Sequence, residues 1–131
     1  MTIVCVDDHP VMLRGLTQNI KQMLPEADMH TFESADKALL FLKDHACDVL
    51  ICEIELGGTN GLTLARQEKE LNPMINIIFL TVCDETEYAH EVFDIRPSGY
   101  LVKPAGNEQL EYELKHLRYG AGCVATASNM C

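Results

Sequence analysis

The sequence predicts an α/β protein built on a doubly wound parallel sheet of five strands, with helices on both faces. Short apolar segments alternate five times with segments of helical periodicity. The apolar segments are nearly continuous and lack the polar alternation of a half-exposed strand, which is typical of strands buried between two helical layers. Because parallel strands are joined by right-handed crossovers, this alternation favours a doubly wound sheet.

The first strand and the first helix meet at an acidic pair. Thr2–Val6 is short, apolar and β-branched, as expected of a buried strand. Asp8 or His9 can cap the helix that follows, and Pro10 lies at or near its first position. Pro25 ends this helix, whose apolar residues recur at helical spacing: Leu13, Leu16, Ile20 and Met23.

Two further strands flank the second helix. Met29–Phe32 is a more polar segment, which we expect nearer an edge of the sheet. Ser34 opens the second helix, and the apolar run Asp48–Cys52 is the third strand. The inner face of the second helix is predicted to contain Ala38, Leu39, Leu42 and Ala46.

The third helix and the fourth strand follow a glycine-rich loop. Gly61 precedes this helix, and the dipeptide Asn72-Pro73 breaks it. The segment 75–82, INIIFLTV, is the plainest strand in the chain. The inner face of the third helix is predicted to contain Leu62, Ala65 and Leu71.

The remaining elements are short. We expect a fourth helix over Thr86–Phe93 and a fifth strand over Tyr100–Val102, which Lys103-Pro104 ends. The last helix is marked by the stripe Leu110, Leu114 and Leu117. The chain of 131 residues suits one domain over residues 1–118, followed by a loose tail or the start of a linker over residues 119–131, which carries no charged side chain.

Composition restricts the partners and the compartment. The net charge of -10 repels phosphate backbones, which argues against direct binding of nucleic acid. The chain contains no apolar run long enough for a membrane span and no basic, apolar leader, so we expect a cytoplasmic protein. Buried free thiols in a reducing compartment best explain the six cysteines: Cys5, Cys47, Cys52, Cys83, Cys123 and Cys131.

Polar side chains follow the predicted strands where each strand ends. In an open parallel sheet these carboxyl ends form one edge, where ligands bind. Three carboxylates there suit a hard cation such as Mg²⁺, while a hydroxyl and an ammonium group can bind phosphoryl oxygens. The residues concerned are Asp7, Asp8, Glu53, Thr81 and Lys103.

These features resemble a response-regulator receiver domain, the phospho-accepting module of two-component signalling. The matching motifs are VDDHPVMLRGL, EIELGGTNGL, IIFLT and GYLVKP, and the resemblance covers about Thr2–Arg118. It implies a flavodoxin-like sheet with strand order 2-1-3-4-5, a signalling rather than an enzymatic role, and a sensor histidine kinase as partner. The stretch YAHEVFDIRPSGYLVKP is most like receivers followed by a LytTR or winged-helix DNA-binding effector, which implies a transcriptional output.

The resemblance also implies individual roles. Thr81 and Lys103 match the residues that contact the phosphoryl group, Tyr100 matches the aromatic switch residue, and Pro104 matches a proline preceded by a cis bond. The implied output and dimerisation face comprises the fourth helix, the fifth strand and the last helix, here around Glu87–Glu91, Tyr100 and Gln109–Lys115. The metal site implied for Mg²⁺ consists of Asp7, Asp8, Glu53 and the backbone carbonyl of Glu55.

Glu53 occupies the phospho-acceptor position, where the family has Asp. Its carboxylate reaches one methylene further, roughly 1.3–1.5 Å, and a misplacement of about 1 Å can cost about 100-fold in transfer rate. We therefore expect no stable phosphoryl adduct, and Mg²⁺ binding that is weak or blocked. Glu53 could instead contact Lys103 and Thr81 without phosphate. Gly57 and Val82 also depart from the family, which usually has a Pro and a small residue there, and we expect Val82 to narrow the approach to the acceptor.

Three alternatives remain open from the sequence. In the first, the site is vestigial, and Glu53 is solvated or merely paired with Lys103. In the second, Glu53 was introduced by mutation into an ordinary receiver. The third alternative is an enzyme or redox carrier. A haloacid-dehalogenase-like phosphatase needs a D-x-D motif rather than the adjacent pair found here. A flavodoxin-like FMN carrier needs a Ser/Thr/Gly-rich phosphate loop in place of DDHP.

Overall fold

The computed structural model describes residues 1–84 and 86–120, and it contains the predicted five-stranded sheet. Every strand pairs in parallel with its neighbours, in the order β2-β1-β3-β4-β5. The predicted fold class and strand order are therefore confirmed. The strands are β1 (Thr2–Val6), β2 (Asp28–Phe32), β3 (Val49–Cys52), β4 (Asn76–Thr81) and β5 (Gly99–Val102).

Five helices connect and follow these strands, and polar side chains cap the starts of the second and third, whereas His9, at the N-cap of the first, makes no side-chain capping hydrogen bond. The Ser34 side chain accepts a hydrogen bond from the backbone N–H of Lys37, and the Asn60 side chain accepts one from that of Leu62. Pro10 occupies the first position of its helix, where its missing N–H costs nothing. The helices are α1 (Pro10–Met23), α2 (Ala35–Asp44), α3 (Gly61–Leu71), α4 (Ala89–Ile95) and α5 (Asn107–Lys115).

Two apolar layers cover the two faces of the sheet, because successive side chains of a strand point to opposite faces. One layer joins Val4, Leu50 and Phe79 to helices α2, α3 and α4, and the other joins Ile3, Ile51 and further strand residues to α1 and α5. Fully burying one such large apolar side chain contributes about 1.5–3 kcal/mol. The sheet edge that carries the polar residues is thus set on a rigid base.

A small antiparallel hairpin between β3 and α3 was not predicted. Glu55–Leu56 pairs with Thr59–Asn60, and Gly57 and Gly58 form its tip with positive φ angles of 26° and 82°. Glycine tolerates such backbone angles at no steric cost. Two-residue strands leave no periodic signal in a sequence, so the segment looked like a plain loop.

Gly61 is the first residue of α3 rather than a residue before it. Its backbone N–H donates to the carbonyl of Ile54, and a Cβ at this position would overlap the carbonyl oxygen of Glu53. The helix can therefore approach the end of β3 only because this residue lacks a side chain.

Several predicted inner-face residues and boundaries are wrong. Ala46 lies beyond α2 and is exposed, and Leu71 is 61% exposed at the end of α3. The fourth helix begins at Ala89, three residues later than predicted, and runs to Ile95. Leu117 lies beyond α5, although it still packs against the core.

The end of the described chain is held against the start of β4. Asn76 is buried; its amide group donates to the carbonyl of Tyr119 and accepts from the Tyr119 N–H, at 2.8 and 2.9 Å. The ammonium group of Lys69 lies 5.1 Å from the centre of the Tyr119 ring. Tyr119 therefore differs from the loose start predicted for the tail, whose residues 121–131 lie outside the described residues.

Four of the six cysteines lie in the described part of the chain, and all four are buried free thiols, as predicted. Cys123 and Cys131 lie outside it. No helix in residues 1–84 and 86–120 combines the length and the apolar composition needed to cross a membrane.

Candidate functional site

The carboxyl ends of four adjacent strands bring the predicted polar residues to one edge of the sheet. Asp7 directly follows β1, Glu53 follows β3, Thr81 is the last residue of β4, and Lys103 follows β5. The peptide bond between Lys103 and Pro104 is cis, as the resemblance implies. Parallel strands in register place these ends side by side, which is why residues 96 positions apart in the chain can touch.

Lys103 joins two buried carboxylates. Its Nζ lies 2.5 Å from Asp7 Oδ2 and 3.1 Å from Glu53 Oε1, and its side chain is 9% exposed. Burial alone would lower the pKa of Lys103, but hydrogen bonds to Asp7 and Glu53 outweigh it and raise that pKa. Burial alone would raise the pKa of Asp7, but Lys103 and His9 outweigh it and lower that pKa. Lys103, Asp7 and Glu53 therefore form a buried cluster of paired charges.

The carboxylate of Glu53 is buried and fully engaged. Oε2 accepts hydrogen bonds from the backbone N–H groups of Ile54 and Glu55, at 2.7 and 3.4 Å. Oε1 accepts from Lys103 Nζ and from the backbone N–H of Val82, at 3.1 and 3.2 Å. Glu53 as a whole is 2% exposed. The side chain thus occupies a ready-made anion site of four donors rather than extending into solvent.

Asp7, Asp8 and His9 form a second cluster at the same edge. His9 Nδ1 lies 3.0 Å from Asp7 Oδ1 and 3.0 Å from Asp8 Oδ1. Asp8 Oδ1 is buried yet has no hydrogen-bond partner among the described residues, since its contact with His9 lacks hydrogen-bond geometry. Ligand atoms of all three residues lie within 4.8 Å of one another. An unpaired buried carboxylate oxygen beside a second carboxylate suits a hard divalent cation such as Mg²⁺.

The hairpin tip closes over this acidic cluster. A Cβ at Gly57 would lie 3.0 Å from Asp8 Oδ2. The positive φ of Gly57 also excludes the proline that receivers usually have there, since proline fixes φ near −65°. The departure at Gly57 therefore belongs to a local backbone path that passes close to Asp8.

The side chain of Glu55 points away from the predicted metal site. Glu55 is exposed, and its Oε1 accepts a hydrogen bond from the Cys83 thiol at 3.0 Å. Burial, followed by the contact with Glu55, raises the pKa of the Cys83 thiol to about 12. Of the acids whose carboxylates are predicted as metal ligands, Asp7 and Asp8 therefore lie together and Glu53 contacts Lys103, while the role of the Glu55 backbone carbonyl stays a prediction.

The hydroxyl groups of Thr81 and Tyr100 both form hydrogen bonds with the backbone of Cys83, in the loop that follows β4. The Thr81 hydroxyl is fully buried and accepts a hydrogen bond from the backbone N–H of Cys83 at 3.1 Å. Among the hydrogen bonds of the described residues, none joins this hydroxyl to Glu53. Tyr100 is half-buried, its ring centre lies 6.0 Å from that of Phe79, and its hydroxyl donates to the Cys83 carbonyl at 2.9 Å.

Two residues of the site were not predicted from the sequence. His9 was considered only as a helix cap, although a histidine two residues after a strand-end acid is well placed to fold back onto it. Cys83 was read only as a buried thiol. The side chain of Val82, expected to narrow the approach to the acceptor, is 62% exposed, and its contribution to the site is its backbone N–H.

The family model and the curated relatives that match this chain indicate the same family. A model of the response regulator receiver domain matches residues 3–115. The chain is 27% identical over 115 residues to the sensory transduction protein LytT of Bacillus subtilis, covering 88% of this chain and 47% of that protein. It spans about half the length of the curated relatives it matches.

Solved structures agree on the fold. The response regulatory domain of mrkE from Klebsiella pneumoniae superposes with a TM-score of 0.81 at 22% identity, covering 89% of this chain and 94% of that one. The response regulator TrrA from Thermotoga maritima, solved in complex with Mg²⁺ and BeF, superposes with a TM-score of 0.77 at 24% identity, covering 87% and 96%.

Proposed function

Since the chain belongs to the response regulator receiver domain family, we propose that it is a receiver whose output does not depend on phosphorylation of residue 53. A receiver domain is a signalling module of a two-component system, and this assignment favours signalling over the phosphatase and FMN-carrier alternatives. In the proposed mechanism, Glu53 replaces the acceptor aspartate and supplies a permanent negative group at the place where a phosphoryl group would form.

The observation that carries this proposal is the set of donors around Glu53. Its carboxylate takes up Lys103 Nζ and the backbone N–H groups of Ile54, Glu55 and Val82. These donors are the kind that binds phosphoryl oxygens, and here they are already satisfied by the protein's own side chain. An incoming phosphodonor would have to displace these hydrogen bonds from a carboxylate that is 2% exposed.

A short chain of contacts connects Glu53 with Tyr100. Glu53 Oε1 accepts a hydrogen bond from the backbone N–H of Val82, and the carbonyl of the next residue, Cys83, accepts one from the Tyr100 hydroxyl. The loop after β4 is thereby tied at one side to the acceptor position and at the other to the predicted switch residue. We expect Glu53 to bias the loop, and through it Tyr100, toward one arrangement.

Thr81 sets a limit on this bias. Its hydroxyl accepts from Cys83 N–H and is not turned toward Glu53, so the carboxylate recruits Lys103 without recruiting Thr81. A two-state ratio shifts tenfold for about 1.4 kcal/mol, and a single charged hydrogen bond is worth about 1.5–3 kcal/mol. The contacts of Glu53 with Lys103 and Val82 therefore bias the loop to the extent that they form in one arrangement and are lost in the other.

The family implies a divalent cation, and the residues present fit one in part. Asp8 would be its main ligand, since Asp8 Oδ1 is buried without a hydrogen-bond partner, and Asp7 would join it only by giving up a contact of one of its oxygens with His9 or Lys103. When bound, a cation such as Mg²⁺ would neutralise the charge of these acids. Glu53 contributes little to such a site, because both of its oxygens are occupied by other donors. We therefore expect weak binding of Mg²⁺.

The proposal is tested by incubating the protein with Mg²⁺ and acetyl phosphate, followed by intact-mass measurement. We expect no added phosphoryl group in the natural chain and an added group at position 53 in Glu53→Asp, whose carboxylate has the length the family uses. A phosphoryl group mapped to Glu53 would contradict the proposal. Absence of the adduct in both proteins would support a vestigial site.

A second experiment separates a switch from a vestigial site. Sedimentation equilibrium of the natural protein and of Glu53→Gln compares their self-association, and NMR of the Tyr100 ring compares its environment. Gln keeps the length of Glu53 but loses its charge, so a switch should shift both readouts. Identical self-association and identical Tyr100 signals would mean that Glu53 biases nothing.

The partners follow from the same family. We propose a sensor histidine kinase upstream, and a DNA-binding effector or a second receiver on the face formed by α4, β5 and α5, with a transcriptional output. That face exposes Phe93, Val102 and Tyr112 by 75%, 42% and 59%. We further propose that residues 1–118 form the receiver and that a linker begins after it, in keeping with relatives about twice as long.

A further inference from the structure

A cavity of about 490 Å³ lies at the opposite edge of the sheet from the acidic site. Cys47 lies just before β3, and Asn72 and Pro73 lie between α3 and β4, so the cavity is at the amino ends of these strands. Six residues of extended chain, roughly 20 Å, separate Cys47 from Glu53. The cavity is lined by the ends of α2 and α3 and the loops that follow, including Leu42, Lys43, His45, Glu68 and Leu71.

Glu68 is the unexplained group in this cavity. It is 2% exposed, and its Oε1 is buried without a hydrogen-bond partner among the described residues. A buried carboxyl oxygen without a partner is costly, and such atoms are uncommon in native proteins. The acidic site described above does not use Glu68, so its retention on an otherwise apolar helix face needs another reason.

The surroundings favour a cation. Helix α2 ends at Asp44 and α3 ends at Leu71, so the negative ends of two helix dipoles face the cavity together with Glu68. The other titratable groups that line the cavity are Lys43 and His45 from the end of α2 and Cys47 from the following loop. Lys43 and His45 are both exposed, and the Cys47 thiol is bonded to the Val49 carbonyl at 3.1 Å.

An organic cation fits better than a metal ion. Among the described residues, the acid, histidine and cysteine groups close enough to share an ion lie at the other edge of the sheet, not around Glu68. One carboxylate cannot hold a divalent ion, which needs several oxygen or sulfur ligands. One carboxylate beside the apolar side chains of Leu42 and Leu71 does suit a single ammonium group on a short hydrocarbon chain. The hydrocarbon chain of such a ligand would also cover Leu71, whose side chain is otherwise 61% exposed.

We propose that this cavity binds a small primary alkylamine, whose ammonium group pairs with Glu68 and whose alkyl chain contacts Leu42 and Leu71. At about 490 Å³ the cavity lies in the ordinary range of small-molecule sites, so it has room for a short alkylamine. Rotation of the Glu68 carboxylate toward the cavity lets the ammonium group supply the hydrogen bond that Oε1 lacks. The site is independent of Glu53 and adds a small-molecule input to the receiver.

The test is an NMR titration of the ¹⁵N-labelled protein with n-butylamine in phosphate buffer at pH 8 and constant ionic strength. We expect saturable shifts in residues 42–47 and 68–73, and none with butyrate. Glu68→Gln keeps the shape and should weaken binding at least tenfold, while Glu70→Gln, exposed on the same helix, should leave it unchanged. Shifts that rise linearly without saturation, or equal affinity in Glu68→Gln, would overturn the proposal.

Two further arms test each end of the ligand. Leu71→Ser changes an exposed residue and should weaken butylamine about threefold without affecting methylamine, because only the longer chain reaches Leu71. Burial raises the pKa of Glu68 to about 7, so binding should be about tenfold tighter at pH 8 than at pH 6 as the carboxylate ionises. A His45→Gln variant should retain this pH dependence; its loss there would assign the effect to the imidazole and refute the role of Glu68.

Discussion

Replacing Glu68 by Gln should stabilise the protein at alkaline pH. Glu68 is 2% exposed with an unpaired Oε1, and burial raises its pKa from the ordinary 4.5 to about 7. Between these values the folded protein binds a proton that the unfolded chain has lost. The stability of the natural protein therefore falls as the pH rises from about 4.5 to about 7, and levels off above that range.

The size of the effect follows from the two pKa values. Each pKa unit corresponds to about 1.4 kcal/mol, so ionising Glu68 costs the folded protein up to about 3.5 kcal/mol relative to the unfolded chain. This is an upper figure, since any rearrangement that hydrates the carboxylate lowers the cost. Gln is neutral at every pH, so Glu68→Gln should be more stable than the natural protein by up to this amount at pH 8.

Urea unfolding at pH 5 and at pH 8, followed by circular dichroism, measures the two differences. Phosphate and acetate buffers are needed, because an amine buffer would occupy the proposed site and hide the effect. Glu70→Gln, in the same helix but exposed, should show no such pH-dependent gain. If Glu68→Gln changes stability equally at both pH values, or is the less stable protein at pH 8, the carboxyl is not desolvated as argued.

Four further outcomes are expected. Lys103→Met leaves Asp7 and Glu53 buried without their cation and should lower the free energy of unfolding by about 3–5 kcal/mol near pH 7, measured with urea. The pKa of Asp7 is lowered by its partners, so the part of this decrease in the free energy of unfolding that is due to Asp7 should become smaller below pH 3.8, as Asp7 is protonated. A decrease that stays the same there would show that Asp7 does not contribute to it. Asp8→Asn should weaken Mg²⁺ binding at least tenfold in a calorimetric titration. Unchanged affinity would show that these acids do not form the Mg²⁺ site. Gly61→Ala should lower the midpoint of thermal unfolding, since its Cβ overlaps the Glu53 carbonyl oxygen, and an unchanged midpoint would show that α3 can move.

The strand ends were predictable because topology, rather than side-chain detail, places them. Once a parallel sheet is inferred from continuous apolar runs, Asp7, Glu53, Thr81 and Lys103 must share an edge. What each side chain contacts there depends on distances of a few tenths of an ångström. Whether Glu53 would meet Thr81 or only Lys103 was for this reason beyond sequence reasoning, and the structure shows Lys103 alone of the two.

The third helix shows that neither residue type nor spacing alone predicts burial, since Leu71 lies at the helical period, seven residues after Leu64, but is the last residue of α3. Leu71 was assigned to the inner face because it is apolar, yet it is exposed, whereas Glu68 is buried. Leu64 and Ala65 precede Glu68 by four and three residues, so helical periodicity alone places Glu68 on the buried face. Strict use of the period would have found the residue on which the cavity depends.

The attachment of Tyr119 to Asn76 determines how far any following segment can reach. Because the backbone of Tyr119 is hydrogen-bonded at the start of β4, the chain is attached to the sheet at residue 119 and not only up to the end of α5, at Lys115. Changing Asn76 would move the last point of attachment back toward Leu117, which packs against the core. The r.m.s. span of a flexible segment grows as about 5–6 Å times the square root of its length, so each residue released there widens the space that residue 120 can reach.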